Sequence, residues 1–106
     1  MNWSSVWLRV APDHPALAGH FPQHPIIPGV VLLDEALYAI EQAATNHQPA
    51  LAGTHWYISS VKFHRIVQPN ETLRLECMEQ AGGRLRFELH AAQALVVSAS
   101  IERRHA

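Results

Sequence analysis

The sequence predicts an α+β domain in which a single long helix covers an antiparallel sheet. Two observations predict this class: one segment with helical periodicity, residues 30–45, and five segments with the composition or alternation of strands. The strands are predicted at residues 3–10, 54–66, 72–80, 84–91 and 94–103. With 106 residues, of which 48% are hydrophobic, the chain is expected to form one domain, because a second domain would be too small to bury its own core.

A long, stiff loop is predicted between the first strand and the helix. Residues 3–10 are rich in aromatic and β-branched residues, which favour a strand. Residues 11–29 then contain five prolines. Because proline fixes φ and lacks an amide hydrogen, neither a helix nor a central strand is expected there. Loops of this length in a compact domain usually carry function.

The helix is predicted from a broad apolar arc. Pro28–Gly29 is a start signal ahead of it, and Pro49 closes the connection beyond it. At about 100° per residue, more than half of the circumference is apolar, so we expect other structure to surround the helix. The arc comprises Val30, Leu32, Leu33, Ala36, Leu37, Ala39, Ile40 and Ala43, and the polar flank comprises Asp34, Glu35, Tyr38, Glu41 and Gln42.

The C-terminal half alternates between apolar and polar residues, as antiparallel strands with one buried face do. Gly82–Gly83 between two such runs indicates a hairpin turn. Cys77 alternates with Leu75 on an apolar side, so it is expected in the core rather than as a nucleophile. As the single cysteine it cannot form an internal disulfide, and it fits a reducing compartment such as the cytoplasm. The aromatic residues of the second strand are expected to pack on the sheet: Trp56, Tyr57 and Phe63.

Charge and motifs exclude several function classes. Charged residues make up 16% of the chain and its formal net charge is −1, unlike the dense basic face of a nucleic-acid-binding protein. No run approaches the roughly 18 apolar residues of a membrane span, and no secretory signal is expected. His14, His20 and His24 lie in the proline-rich loop, where no helix is expected, and no cysteine accompanies them, so no metal is expected. No nucleotide-binding or serine-hydrolase motif is present.

Basic residues are concentrated in the second half of the chain. Solvated strand positions and a mild docking surface for an acidic partner are both open interpretations. The residues concerned are Arg84, Arg86, Arg103 and Arg104.

Residues 19–34 contain the groups needed for chemistry beside a carbonyl. His20 lies in the proline-stiffened loop, which holds its imidazole at little ordering cost. Gly29 and Val30 stand at the helix start, where amides lack intrahelical partners and can receive a developing oxyanion. Asp34 follows one turn later, but helical geometry does not choose between it and Glu35, which flank the apolar arc on opposite sides. A histidine, an amide donor and a carboxylate suit proton abstraction and departure of a leaving group.

The string H-F-P-x-x-P-x-x-P-G-V from His20 to Val30 resembles the β-hydroxyacyl-[acyl-carrier-protein] dehydratases of fatty acid synthesis. The likeness continues in residues 61–65 and 68–73 and implies the hot-dog fold, a long helix wrapped by an antiparallel sheet. By this resemblance His20 matches the catalytic histidine, Asp34 the catalytic acid and Gly29 the backbone donor to the thioester carbonyl, with Val30 beside it. The main branch has Glu at the acid position. Asp there resembles the branch that also isomerises the double bond and the small dehydratases of aryl-polyene pathways.

The resemblance implies dehydration of a (3R)-3-hydroxyacyl thioester to the trans-2-enoyl thioester, in fatty acid, polyketide or aryl polyene biosynthesis. The substrate is carried on the phosphopantetheine of acyl carrier protein or as a coenzyme A thioester, with no further cofactor. Phe21, Pro28 and Leu33 are the candidates for the substrate pocket. A homodimer or higher oligomer is expected, with each site shared between two chains. Two alternatives remain: an acyl-thioesterase of the same fold and a non-catalytic acyl-binding module.

Overall fold

The computed structural model describes residues 3–11, 26–47 and 54–105. Its elements follow the predicted order of one strand, one helix and four strands. They are β1 (Trp3–Leu8), α1 (Gly29–His47), β2 (Thr54–Phe63), β3 (Leu73–Gln80), β4 (Arg84–Ala91) and β5 (Ala94–His105). Of the loop predicted at residues 11–29, residues 12–25 lie outside the described residues. None of the helices in the described residues combines the length and the apolar content that a membrane crossing requires.

The five strands form one antiparallel sheet in the order β1-β3-β4-β5-β2. The first two strands in sequence are therefore its edges. β5 is longer than predicted because it pairs with β2 along the whole of that strand, from Thr54↔His105 to Phe63↔Val97. β2 ends three residues earlier than predicted, at Phe63.

The core lies between α1 and the face of the sheet that carries the apolar side chains of β3, β4 and β5. The alternation predicted this face correctly, because Leu75, Cys77, Phe87 and Leu89 are fully buried. Burial raises the pKa of the Cys77 thiol from 9.0 to about 12, so the thiol stays protonated at neutral pH. Cys77 is thus a core residue, as predicted.

The helix buries a narrower stripe than its apolar arc predicts. Among the helix residues whose side chains the structure describes, the buried ones are Val31, Leu32, Ala36 and Ile40. The placement of Val30 in the buried arc is wrong, because its side chain is 70% exposed while Val31 is buried. Both belong to the first turn of the helix, where the chain enters from the loop.

The sheet face opposite α1, here called the outer face, carries paired charges. Arg84 and Glu102 lie 3.0 Å apart, and the Arg86 guanidinium donates to Glu88 at 3.1 Å. Partial burial raises the pKa of Glu88, but hydrogen bonds from Arg86 and His90 outweigh it and hold that pKa below its usual value. The stability that Glu88 contributes is therefore present above about pH 4.5 and is lost as the pH falls below it.

The turn after β3 accounts for the Gly82–Gly83 pair. Ala81–Gly83 forms a short 3-10 turn between β3 and β4. Gly82 and Gly83 have φ of 78° and 77°, in the left-handed region that glycine adopts at little cost. The predicted hairpin is confirmed, with Gln80 pairing directly with Arg84.

Candidate active site

A cavity of about 600 Å³ lies at the N-terminus of α1. One wall comes from the helix start and the segment before it, and the other from the end of β2 and the residues after it. The lining residues are Ile26, Ile27, Pro28, Gly29, Val30, Leu32, Phe63, His64, Arg65 and Ile66. The lining is mostly apolar, which suits an acyl chain better than a charged ligand.

Gly29 and Val30, the first two residues of α1, line the cavity. Val31 and Leu32 donate their amide hydrogens to the carbonyl oxygen of Pro28, at 3.0 and 3.3 Å. The amides of Gly29 and Val30 have no backbone acceptor among the described residues. They stand at the positive end of the helix dipole, where an oxygen that gains negative charge is stabilised.

Phe63 packs directly on the helix start. If Gly29 carried a Cβ, that atom would lie 2.8 Å from Cε1 and 3.0 Å from Cδ1 of the Phe63 ring. Contacts this short do not occur between real side chains, so residue 29 must be glycine while the ring stays in place. Phe63 itself is 49% exposed, so the prediction that it serves only to pack the sheet is incomplete.

Hydrogen bonds fix the two walls relative to each other. The Ile27 amide donates to the Val67 carbonyl at 2.7 Å, which joins the entry to the helix to the segment after β2. The His64 amide donates to the Val96 carbonyl at 2.7 Å, and the His64 ring nitrogen Nε2 lies 2.9 Å from the hydroxyl of Ser98. Ser98 is only 6% exposed, so this bond orients the imidazole at the edge of the cavity.

Arg65 and Glu71 brace the segment that carries the second wall. The Arg65 guanidinium donates to Glu71 Oε1 at 3.0 Å, and the Gln68 amide donates to Glu71 Oε2 at 2.7 Å. Both carboxylate oxygens of Glu71 are therefore used to hold the turn after β2. Arg65 lines the cavity and is at the same time tied to this turn.

Three of the predicted site residues line the cavity: Pro28, Gly29 and Val30. His20 and Phe21 lie outside the described residues, so their places at the site remain predictions. Leu33 is half-buried and packs against the core, and its contact with substrate also remains a prediction.

The two candidate carboxylates lie on different flanks of α1. Asp34 is exposed one turn after Val30 and therefore shares the flank of a cavity-lining residue. Glu35 instead lines a second cavity, of about 470 Å³, between α1 and β1, together with Trp7 and Tyr38. Helical periodicity left this choice open, and Asp34 as the catalytic acid remains a prediction.

Comparison with known proteins identifies the family. Residues 3–100 match the family described as ApeI-like, ApeI dehydratase. The chain belongs to the ApeI-like dehydratase family. A 3-hydroxyacyl-[acyl-carrier-protein] dehydratase FabZ from Alkalilimnicola ehrlichii is 39% identical over 73 residues, covering 64% of this chain and 47% of the relative. The chain thus spans about half the length of the curated relatives it matches first.

Solved structures confirm the hot-dog fold. The dehydratase heterocomplex ApeI:P from Xenorhabdus doucetiae superposes with a TM-score of 0.75 and 25% identity, covering 96% of this chain and 86% of that one. The F36A mutant of the fluoroacetyl-CoA-specific thioesterase FlK superposes with a TM-score of 0.66 and 16% identity, covering 97% and 83%. The second likeness shows the fold alone. The predicted α+β hot-dog class is therefore correct.

Sequence reasoning missed the second wall of the site in this ApeI-like chain. Residues 61–65 carried part of the family resemblance, but no role at the cavity was assigned to Phe63, His64 or Arg65. Their contribution depends on the end of β2 at Phe63 and on the Ile27–Val67 pairing, which brings distant segments together. The run Val61–Arg65 was the available signal.

Replacing Gly29 by Ala is expected to destabilise the protein by about 1–3 kcal/mol, because the new methyl group overpacks against Phe63. In a Phe63→Leu background the same change is expected to be neutral or stabilising, since alanine favours helix over glycine by up to about 1 kcal/mol. Urea denaturation of the two single variants and the double variant measures this coupling. Additive effects would contradict the contact.

Proposed function

We propose that this protein dehydrates a (3R)-3-hydroxyacyl thioester to the trans-2-enoyl thioester. The observation that carries the proposal is the apolar cavity at the N-terminus of α1, where the Gly29 and Val30 amides lack backbone acceptors among the described residues. A thioester carbonyl oxygen placed at these amides gains negative charge when a proton leaves C2. Membership of the ApeI-like dehydratase family supports the same reaction.

The proposed reaction has two proton transfers. Neutral His20 takes the proton from C2, and the Gly29 amide stabilises the enolate-like oxygen that results. The C3–O bond then breaks, and the departing hydroxyl receives a proton from Asp34 and leaves as water. If His20 returns the proton instead, Asp34 orients the hydroxyl. The electrons of the C2–H bond become the C2–C3 double bond, so no redox partner or metal is required.

A homodimer formed through β2 completes the proposed site. β2 pairs with β5 on one side, and no strand among the described residues pairs with its other edge. Tyr57 and Ile58 on this strand are 51% and 43% exposed. Antiparallel pairing of two β2 strands would continue the sheet and cover these side chains, because an open edge favours addition of another strand. Higher oligomers of such dimers are compatible with the same pairing.

A different chain, in place of a second copy of this one, is another candidate for the partner at the β2 edge. The structural relative from Xenorhabdus doucetiae is described as a heterocomplex, ApeI:P. A different chain of the same fold would satisfy the β2 edge equally well. Native mass spectrometry of the purified protein distinguishes the two, because a homodimer forms without a second gene product.

Acyl carrier protein is the proposed carrier, and the phosphopantetheine arm of the substrate takes the place of a cofactor. FabZ relatives, which act on acyl carrier protein by name, support this choice over coenzyme A. The cytoplasm is the proposed location, and the single, buried Cys77 is compatible with its reducing conditions.

An assay with 3-hydroxyacyl thioesters of several lengths tests the function. Dehydration is expected to produce enoyl absorbance with the thioester intact. Release of free thiol without an enoyl product would instead identify a thioesterase. Binding of the acyl thioester with neither product would identify a non-catalytic module.

Reversing the charge of these basic residues is expected to weaken the binding of carrier-bound substrate selectively. Arg84→Glu, Arg103→Glu and Arg104→Glu are each expected to raise the apparent KM for acyl carrier protein by up to about fivefold. Arg103 and Arg104 pair with Trp56 and His55 at the start of β2, the strand proposed as the dimer edge. Arg86→Glu is expected to act in the same direction, since Arg84 and Arg86 are both already paired with a carboxylate on the outer face. The coenzyme A thioester is the control, and equal effects on both substrates would contradict docking.

A further inference from the structure

The outer face of the sheet carries a cluster of two carboxylates and an imidazole that the proposed dehydration does not use. Glu76 on β3 and Glu88 on β4 are direct partners in the strand register. His90 lies two residues after Glu88 on the same face, and its Nε2 is 3.2 Å from Glu76 Oε2 and 3.1 Å from Glu88 Oε1. All three donor atoms lie within 4.8 Å of one another.

We propose that Glu76, Glu88 and His90 bind a divalent transition-metal ion of the Zn²⁺ type. Imidazole nitrogen and carboxylate oxygen are Zn²⁺ ligands with bond lengths of about 2.0–2.2 Å. Tetrahedral coordination at those lengths places neighbouring donor atoms about 3.3 Å apart. The two measured separations from Nε2 match this spacing within about 0.2 Å.

The flanking arginines occupy the other oxygens of the two carboxylates. Arg86 donates to Glu88 Oε2 at 3.1 Å, and Arg74 donates to Glu76 Oε1. The oxygens that face His90 are Glu88 Oε1 and Glu76 Oε2, and neither is the oxygen that receives the guanidinium. Carboxylates that ligate a metal are typically held in this way by hydrogen bonds to their remaining oxygen.

A single hydrogen on His90 Nε2 cannot bind both carboxylates equally well. Glu76 and Glu88 lie directly opposite each other across β3 and β4, where like charges disfavour the pairing unless cations offset them, as Arg74 and Arg86 do in part. The Nε2 atom carries at most one hydrogen, yet it is almost equally distant from both oxygens. A metal ion between the three atoms uses the Nε2 lone pair and binds both carboxylates at once, so it links the two strands.

Zn²⁺ titration of the full chain tests the site. The protein contains eight histidines, so the measurement is the difference between variants in competition with a chromophoric chelator. His90→Gln and Glu88→Gln are each expected to lose one Zn²⁺ equivalent or to bind it at least about tenfold more weakly, since even outer-sphere partners matter that much. Glu102→Gln, which removes a carboxylate paired with Arg84 on the same face, is the matched control and should bind as the wild type does.

Thermal unfolding gives a second readout. Zn²⁺ is expected to raise the Tm of the wild type and of Glu102→Gln, and to leave the Tm of His90→Gln and Glu88→Gln unchanged, because only a bound ligand stabilises the folded state. If one variant fails to fold, as judged by circular dichroism, Glu76→Gln replaces it. Equal Zn²⁺ binding by the wild type and the site variants, or no binding by the wild type, would overturn the proposal.

Discussion

His20→Ala and Asp34→Asn are each expected to lower turnover at least about a hundredfold while the protein stays folded. His20 is the proposed base at C2, and Asp34 the proposed acid at the departing hydroxyl. Asp34 is exposed on the helix, so its replacement by the isosteric Asn removes a proton donor without disturbing the core. Steady-state dehydration rates with one 3-hydroxyacyl thioester, together with circular dichroism, measure both effects.

Glu35→Gln is the matched control for the carboxylate. Glu35 neighbours Asp34 in the chain but lines the cavity between α1 and β1, away from the cavity at the helix N-terminus. Its amide variant is therefore expected to keep nearly full activity. Full activity in Asp34→Asn combined with a large loss in Glu35→Gln would show that the other carboxylate is the acid.

The predictable part of the fold followed from local periodicity. β4 was predicted at its observed bounds, because Leu85, Phe87 and Leu89 alternate without interruption and Gly82–Gly83 marks the preceding turn. The ends of β2 and β5 were predicted less accurately, because a strand continues only as far as its neighbour supplies hydrogen bonds. That information lies in the pairing of two segments and not in either segment alone.

The features of the site also divide into those that a contiguous stretch of sequence predicts and those that depend on contacts between distant residues. The helix start at Gly29, with amides that have no backbone acceptor among the described residues, followed from Pro28–Gly29, because the signal is contiguous. The contact of Phe63 with Gly29 joins residues far apart in sequence and could not be predicted. The Glu76–Glu88–His90 cluster likewise depends on the β3–β4 register, in which a shift of one residue would move these side chains to the other face.

Mixing the two inactive variants is expected to restore about a quarter of the wild-type activity. In the proposed dimer each site takes His20 from one chain and Asp34 from the other. Random exchange between His20→Ala and Asp34→Asn gives about half hybrid dimers. Each hybrid has one site with both defects and one site with neither, so half of its sites are active.

The same experiment separates a shared site from a self-contained one. If His20 and Asp34 of one chain acted together, every site of the hybrid would carry one defect and the mixture would stay inactive. Exchange must be verified by native mass spectrometry of variants with distinguishable masses, so that a lack of hybrids is not mistaken for a lack of complementation. A mixture containing hybrids but no activity would overturn the shared site. Recovered activity would place the two residues of each site on opposite chains and would require a dimer for catalysis.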